Sequence, residues 1–199
     1  MPRQGLSRAQ VVDAAARIAD GEGLERVTVA RVASELGIRA PSLYNHVASR
    51  DDLVRELSVR ALQELGAAIA QAAMGRSRDD ALQAIAAAHR RYALDHPGLY
   101  AATIRGAPYP EDNERVDAAN DVLDVVFAVL AGYGFEGDDA VHAARALRSA
   151  LHGFSSLESS GGFGMPADRD ESFRRMVAAL AEGLQRPARS AATRAARGS

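Results

Sequence analysis

Residues 28–53, TVARVASELGIRAPSLYNHVASRDDL, hold two short helical patterns separated by nothing but a tight turn. Thr28 can cap the first, because its hydroxyl can accept a bond from an otherwise unpaired amide of the first turn. Val29, Val32, Ala33 and Leu36 then share one helical face. Gly37 suits a left-handed exit from that helix, and Ile38 is an apolar plug in the turn. Pro41 suits a first helical turn, where its missing N–H costs nothing. The second helix is expected over about 41–47, with Leu43 and Val47 inward. Arg39, Ala40, Ser42, Tyr44, Asn45 and His46 are left facing wholly or partly outward. A helix–turn–helix whose second helix is short and polar outside suits the major groove of DNA.

The rest of the chain reads as helix. A first helix is expected over 7–21, opened by a Ser7–Gln10 capping box and buried along Val11, Val12, Ala15, Ile18 and Ala19. A long helix starts at Ser49, with Ser49 and Asp52 again spaced as a capping box, and reaches about Ala73. Further helices are expected over 79–95, 99–105, 114–130, 138–158 and 170–184. The helix over 114–130 is apolar almost all round, which predicts that its second half is buried. Loops fall at 106–112, 132–137 and the glycine-rich 161–164. The predicted class is all-α with about nine helices: a three-helix helix–turn–helix bundle over 1–50, a larger helical domain over 51–186, and a disordered tail over 187–199.

Composition narrows the function. There is no Cys, so neither a disulfide frame nor a thiolate metal site can form. No stretch reads as a signal peptide or as a membrane span, which predicts a cytoplasmic protein with no membrane partner. The net charge of −2 argues by itself against nucleic acid, but the charge is unevenly spread. Residues 1–60 carry nine Arg against eight acids, residues 61–185 eleven Arg against eighteen acids, and residues 186–199 four Arg and no acid. Asp117, Asp121 and Asp124 share a helix face but match neither a calcium loop nor a His-bearing metal site, so they read as a solvated face. The loop at 161–164 has no Lys-Ser/Thr and no strand before it, so no nucleotide role is assigned to it. No nucleophile–base pair, metal cluster or cofactor loop is visible, and no cofactor and no enzymatic activity are expected.

On these residues the chain resembles the TetR family of one-component bacterial transcriptional regulators, most strongly over about residues 8–54. The carrying pattern is the inward pair of helix one, Thr28, Leu36-Gly37, Leu43-Tyr44, His46 and the Asp52-Leu53 pair that opens helix four. The C-terminal part resembles the subgroup named for a Trp-His-Gly motif. The matching segment here is Leu151-His152-Gly153-Phe154, with Leu in place of Trp. Val47 stands where the family usually has Phe, and Arg50 where it often has Lys.

The resemblance implies a homodimer that places one short helix per subunit in a major groove of a double-stranded, near-palindromic operator. Thr28, Tyr44, His46 and Arg50 match phosphate-contacting positions, and Arg39, Ala40 and Ser42 match the region that touches bases, with Asn45 beside them. Arg39 is the side chain best suited to bidentate reading of guanine. The resemblance also implies an effector cavity in the C-terminal bundle, most simply for a largely apolar small molecule. His89, Tyr92, Tyr100, Phe127, His152 and Phe154 are the candidates to line it; taken one at a time, each reads first as an ordinary core residue with any polar tip satisfied. The dimer interface is expected on the last two long helices, at Leu147, Leu151, Met176, Leu180 and Leu184. Repression by an operator-bound dimer that a small molecule releases is the expected function. An activator would carry the same residues.

Overall fold

Ser7 opens the first helix as its spacing to Gln10 predicts: its Oγ accepts from the Gln10 amide, and the Gln10 side chain accepts from the Ser7 amide. That helix, α1 (Arg8–Glu22), begins a chain of nine α-helices and no strand among the described residues. The structure, a computed structural model, describes residues 6–105 and 113–185. The expected loop at 106–112 and the expected tail lie outside them.

A 3-10 turn (Leu24–Arg26) leads to α2 (Val29–Glu35), capped by Thr28 as expected. The chain leaves α2 through Gly37 at φ +66°, a conformation that costs glycine least. The next helix, α3 (Ala40–Leu43), is shorter than the sequence suggests: Tyr44, Asn45 and His46 form a turn instead of a second helical turn. One turn of helix returns too few hydrogen bonds to propagate unaided. The succeeding helices are α4 (Arg50–Ala73), α5 (Arg78–Asp95), α6 (Pro97–Arg105), α7 (Asn113–Ala131), α8 (Gly137–Ser159) and α9 (Arg169–Leu184).

Packing groups these helices into two compact units. The first comprises the described residues up to Ala67 together with those of Arg91–Val122. The second comprises Ala68–Arg90 and the described residues from Leu123 onward. The motif boundary near residue 50 is therefore not where compactness divides the chain, because α4, α5 and α7 each begin in one unit and end in the other.

In the first unit the expected stripes are buried: Val11, Ala15 and Ile18 on α1, Val32 on α2, Leu43 on α3, and Leu53, Leu57 and Ala61 on α4. α6 is fastened to α1. A Cβ on Gly98 would lie 2.0 Å from the backbone carbonyl of Ala19, so the two backbones meet where only glycine fits. Asp20 Oδ1 accepts from the amides of Gly98 and Leu99 at 3.0 and 2.9 Å, supplying an acceptor to first-turn amides of α6 that have no partner within the helix.

In the second unit one arginine ties three helices. Arg90 on α5 donates to both carboxylate oxygens of Glu158 on α8 at 2.7 and 2.6 Å, and its Nη2 also lies 2.7 Å from Asp170 Oδ1 on α9. The guanidinium covers the rings of Phe173 and Phe154, 4.9 and 5.5 Å from their centroids. Phe154 also packs on Phe163 from the glycine-rich loop at 4.7 Å.

Two expectations are corrected here. The second half of α7 is not uniformly buried: Val129 and Leu130 are, but Leu123 is 39% exposed, and Val125, Val126 and Phe127 are half-buried. An apolar helix surface needs a neighbour to be covered, and this one has fewer on its outer side than its composition suggested. Leu147 and Leu151, expected at a subunit interface, are buried within the single chain. The inward stripe of an amphipathic helix serves its own core first. Met176, Leu180 and Leu184 are half-buried, and Leu184 packs against the cluster around Leu130, Ala143 and Ala144.

Removing one member of a desolvated ion pair leaves the other charge buried and uncompensated. Arg90→Leu is therefore expected to lower the unfolding free energy by about 3 kcal/mol or more. Adding Glu158→Leu should recover part of that loss, as read by urea denaturation of the two variants.

Candidate nucleic-acid interface

The outward residues of the helix–turn–helix are held by short-range bonds. Thr28 Oγ1 accepts from the Arg31 amide at 3.1 Å, which fixes the first turn of α2 and leaves the hydroxyl hydrogen to donate elsewhere. The Ile38 amide donates to the Ala33 carbonyl at 3.0 Å, closing the turn before Arg39. Arg39 takes the extended N-cap conformation of α3, Pro41 lies in its first turn, and the Ser42 amide donates to the Arg39 carbonyl at 2.9 Å. Leu43 and Val47 are buried, one within an exposed edge and one just after it. Tyr44 is 57% exposed, and Ser42, Asn45 and Arg39 are exposed with it. Ala40 and His46 are half-buried. Seven of the eight expected DNA-facing residues, Thr28, Arg39, Ala40, Ser42, Tyr44, Asn45 and His46, thus sit on α3 and its turn or at the neighbouring start of α2.

Arg50 differs. Its Nε donates to the Val27 carbonyl at 2.9 Å and its Nη2 to the Leu24 carbonyl at 3.4 Å, and it lies 3.5 Å from Glu25. The side chain is turned onto the segment before Thr28, so it anchors the start of α2. Sequence spacing could not show this, because the carbonyls it meets lie over twenty residues earlier.

Four further arginines of this region are paired with carboxylates. Arg31 bridges Glu22 and Glu35 at 2.5 and 3.0 Å, Arg60 bridges Asp13 and Glu64, and Arg55 pairs with Glu56 and Glu114. Arg8 pairs with Asp52 and Glu56. Arg39 enters none of the ion pairs among the described residues, so it is the exposed edge's own positive charge. At the start of α4 the expected capping box is altered. Ser49 Oγ accepts from the Asp52 amide at 3.1 Å, but the Asp52 carboxylate reaches the amide of Ala48, at 2.9 Å, and not that of Ser49.

The six residues expected to line an effector cavity do not share one compact unit. Tyr92 and Tyr100 belong to the first, His89, Phe127, His152 and Phe154 to the second. The Tyr92 hydroxyl donates to Glu64 at 3.0 Å, and burial followed by the Glu64 charge holds it well above the ordinary tyrosine range. Tyr100 is buried, and Phe154 lies under Arg90. Phe127 packs against the Leu130 cluster. His89 and His152 are close enough to interact. Burial pushes the His89 imidazole down to about 4, and the neighbouring His152 and Arg148 act in the same direction. The second unit also has an open groove lined by Ala70, Met74, Ala81, Val125 and Val129, together with Arg76 and Arg78. None of the six expected residues lines that groove. Asp117, Asp121 and Asp124 are exposed, and the described residues contain no cluster of three side chains placed to hold a metal ion. No helix among them is long and apolar enough to cross a membrane.

This geometry agrees with what the chain is similar to. Residues 11–57 match the family described as bacterial regulatory proteins, tetR family, and residues 82–180 match the tetracyclin repressor-like C-terminal domain. The C-terminal match gives no separate support to the Trp-His-Gly subgroup. The HTH-type transcriptional regulator Rv0681 of Mycobacterium tuberculosis is 40% identical over 91% of this chain and 83% of its own length. The HTH-type transcriptional regulator YobS of Bacillus subtilis is 34% identical over 92% of this chain and 95% of its own. The crystal structure of the Streptomyces coelicolor TetR family protein ActR in complex with (S)-DNPA shares the fold, with a TM-score of 0.68 and 21% identity over 92% of this chain and 98% of that one.

A buried neutral His89 makes stability depend on pH. The unfolded chain takes up a proton near the ordinary histidine value of about 6.5, whereas the folded chain resists until about 4. Stability contributed by the neutral ring is full above pH 6.5 and is lost as the pH falls toward 4. Thermal unfolding midpoints should drop across that window, and His89→Gln should flatten the drop. An unchanged slope in the variant would assign the effect to another group.

A helix–turn–helix edge bearing Arg39, Ser42 and Tyr44, matched in sequence along most of the length of two bacterial regulators, makes this chain a transcriptional regulator of the TetR family with an N-terminal DNA-binding domain.

Proposed function

We propose that the protein is a repressor that binds a near-palindromic operator as a homodimer and is released by a small, largely apolar molecule. The observation that carries the DNA part is the exposed edge from Arg39 to Asn45, anchored by the buried Leu43 within it and the buried Val47 just after it. Hydroxyls, a ring N–H and backbone amides along that edge suit phosphate oxygens, which fix register without reading sequence. Arg39 has a planar fork with two parallel donors, the geometry that distinguishes guanine. Thr28, Tyr44 and His46 are assigned to phosphates, and Ala40, Ser42 and Asn45 to the floor of the groove beside Arg39. Arg50 supports Thr28 from behind.

Two such edges related by a twofold axis would read half-sites about 34–36 Å apart or a multiple of that. The faces of α8 and α9 turned away from their own core support the twofold. Ala146, Ala150, Gly153 and Leu157 lie at helical spacing on α8, and Ala179 and Gly183 are exposed on α9 beside the half-buried Met176 and Leu180. Small side chains let two helix pairs approach closely, with Leu147 and Leu151 supporting that face from inside each subunit. A dimer seated across a promoter represses by occupancy and needs no contact with the transcription machinery. Its place of action is the cytoplasm, where the operator is.

The effector reading is supported by the second unit, where His89 and His152 offer polar tips within a helical core, and by the ligand complex of ActR. An effector releases DNA only if it binds the released state more tightly than the operator-bound state.

Selection of bound fragments from random duplex DNA at two salt concentrations tests this. A near-palindrome should be enriched, with a salt dependence shallower than the arginine content of residues 1–60 suggests, because most of those arginines are paired within the protein. Recovery of no preferred sequence at either salt would remove the reading. On the enriched site, Arg39→Ala should cost about 1–3 kcal/mol and relax preference at one base pair per half-site, whereas Tyr44→Phe should weaken all duplexes alike. Ala150→Glu should yield monomers in sedimentation equilibrium. A stable Ala150→Glu dimer would place the interface on another surface.

A further inference from the structure

The turn that carries Tyr44 and His46 is bonded to a residue outside the helix–turn–helix. The carbonyls at the end of any helix lack donors from their own helix, and α3 has only one turn with which to hold its shape. Within the segment, the amides of His46 and Val47 both donate to the Leu43 carbonyl, at 2.9 and 3.1 Å. The carbonyl of His46 accepts from Arg8 Nη1 at 3.0 Å, across 38 residues of sequence. Arg8 Nη2 donates in turn to Asp52 Oδ1 at 3.0 Å and to Glu56 Oε1 at 2.9 Å. The second oxygen of Asp52 accepts from the Ala48 amide at 2.9 Å. One network thus grips the carbonyl of His46 and the amide of Ala48, the two polar groups on either side of the buried Val47.

We propose that Arg8 is a positioning residue for DNA reading, fixing the Tyr44–His46 turn through the His46 carbonyl without itself contacting nucleic acid. The proposal rests on the DNA-binding reading above. Arg8 supplies donors in a rigid planar fork, so one side chain can serve a carbonyl and two carboxylates at once. Its charge is already met by Asp52 and Glu56, and a phosphate approaching the guanidinium would also approach those two carboxylates. Arg8 therefore acts on DNA by setting where Tyr44 and His46 stand.

The test compares wild-type protein, Arg8→Ala and Asp52→Asn on the selected operator and on a scrambled duplex, each over a series of salt concentrations. Wild-type protein that fails to prefer the operator overturns the DNA-binding reading itself, and the proposal with it. Given that preference, Arg8→Ala should lose about tenfold in operator affinity, the size expected for one charge-assisted hydrogen bond. Scrambled DNA should lose less, and the salt slope should stay unchanged. Amide hydrogen exchange at His46 and Val47 should speed up, while that of Leu57 within α4 should not. A loss equal on both duplexes, with a salt slope lower by about one, would make Arg8 a phosphate contact and overturn the proposal. So would unchanged operator affinity in folded Arg8→Ala. Asp52→Asn supplies an independent sign. Removing a negative charge near DNA should by itself strengthen binding, whereas loosening the Arg8 network should weaken binding to the operator more than to scrambled DNA. A gain in operator affinity overturns the positioning role even if Arg8→Ala does not fold.

Discussion

A single helical turn cannot hold its own shape in water, and the exposed edge of this protein's helix–turn–helix is built on one. α3 comprises four residues, and the Tyr44–His46 turn that follows it is not helical. The surroundings supply what propagation would have supplied in a longer helix. Leu43, within the edge, and Val47, just after it, plug it into the core. Arg50 holds the carbonyl of Val27 just before the Thr28 cap, and Arg8 holds the carbonyl of His46 just after the turn. These two arginines stand at the first residues of α4 and α1. Each converts a position outside the helix–turn–helix into support for it.

That use of arginine also shapes the electrostatics. Residues 1–60 hold nine arginines, yet most are matched to carboxylates or carbonyls at bonding distance, and the chain carries a net charge of −2. Internal pairing gives the head rigidity at the expense of its long-range attraction for a polyanion. Arg39 is the exception on the exposed edge. Under the proposed function, affinity rests on how well hydroxyls, amides and one guanidinium are placed, so internal pairing raises the demand on geometry.

The fold distributes its anchoring in the same way. α6 lies outside the helix–turn–helix, yet it belongs to the same compact unit. Asp20 caps it, and Gly98 lets its backbone touch α1. In the second unit, Arg90 gathers α5, α8 and α9 around a stack of three phenylalanines. Ala146 on α8 and Ala179 and Gly183 on α9 are exposed, while Leu147, Leu151, Phe154 and Phe173 are buried.

Local pattern was sufficient for much of this. Helical periodicity, the Ser7–Gln10 box, the Thr28 cap and Gly37 at a positive φ depend on neighbours within one or two turns, and each stands where the sequence predicts. The class of fold and the exposed edge from Arg39 to Asn45 follow from the same short-range rules. Tertiary structure decided which polar groups are already used. Nothing near Arg50 in sequence shows that it donates to the Val27 carbonyl, and nothing near Arg8 points to His46. Tyr92 reads as a polar tip for a ligand until Glu64 is seen to take its hydroxyl. Leu147 and Leu151 read as interface until their own core is seen to bury them. A side chain's type and spacing state what it can bond, but its partner is set by which distant backbone the fold brings within about 3 Å, and that depends on the whole chain's packing.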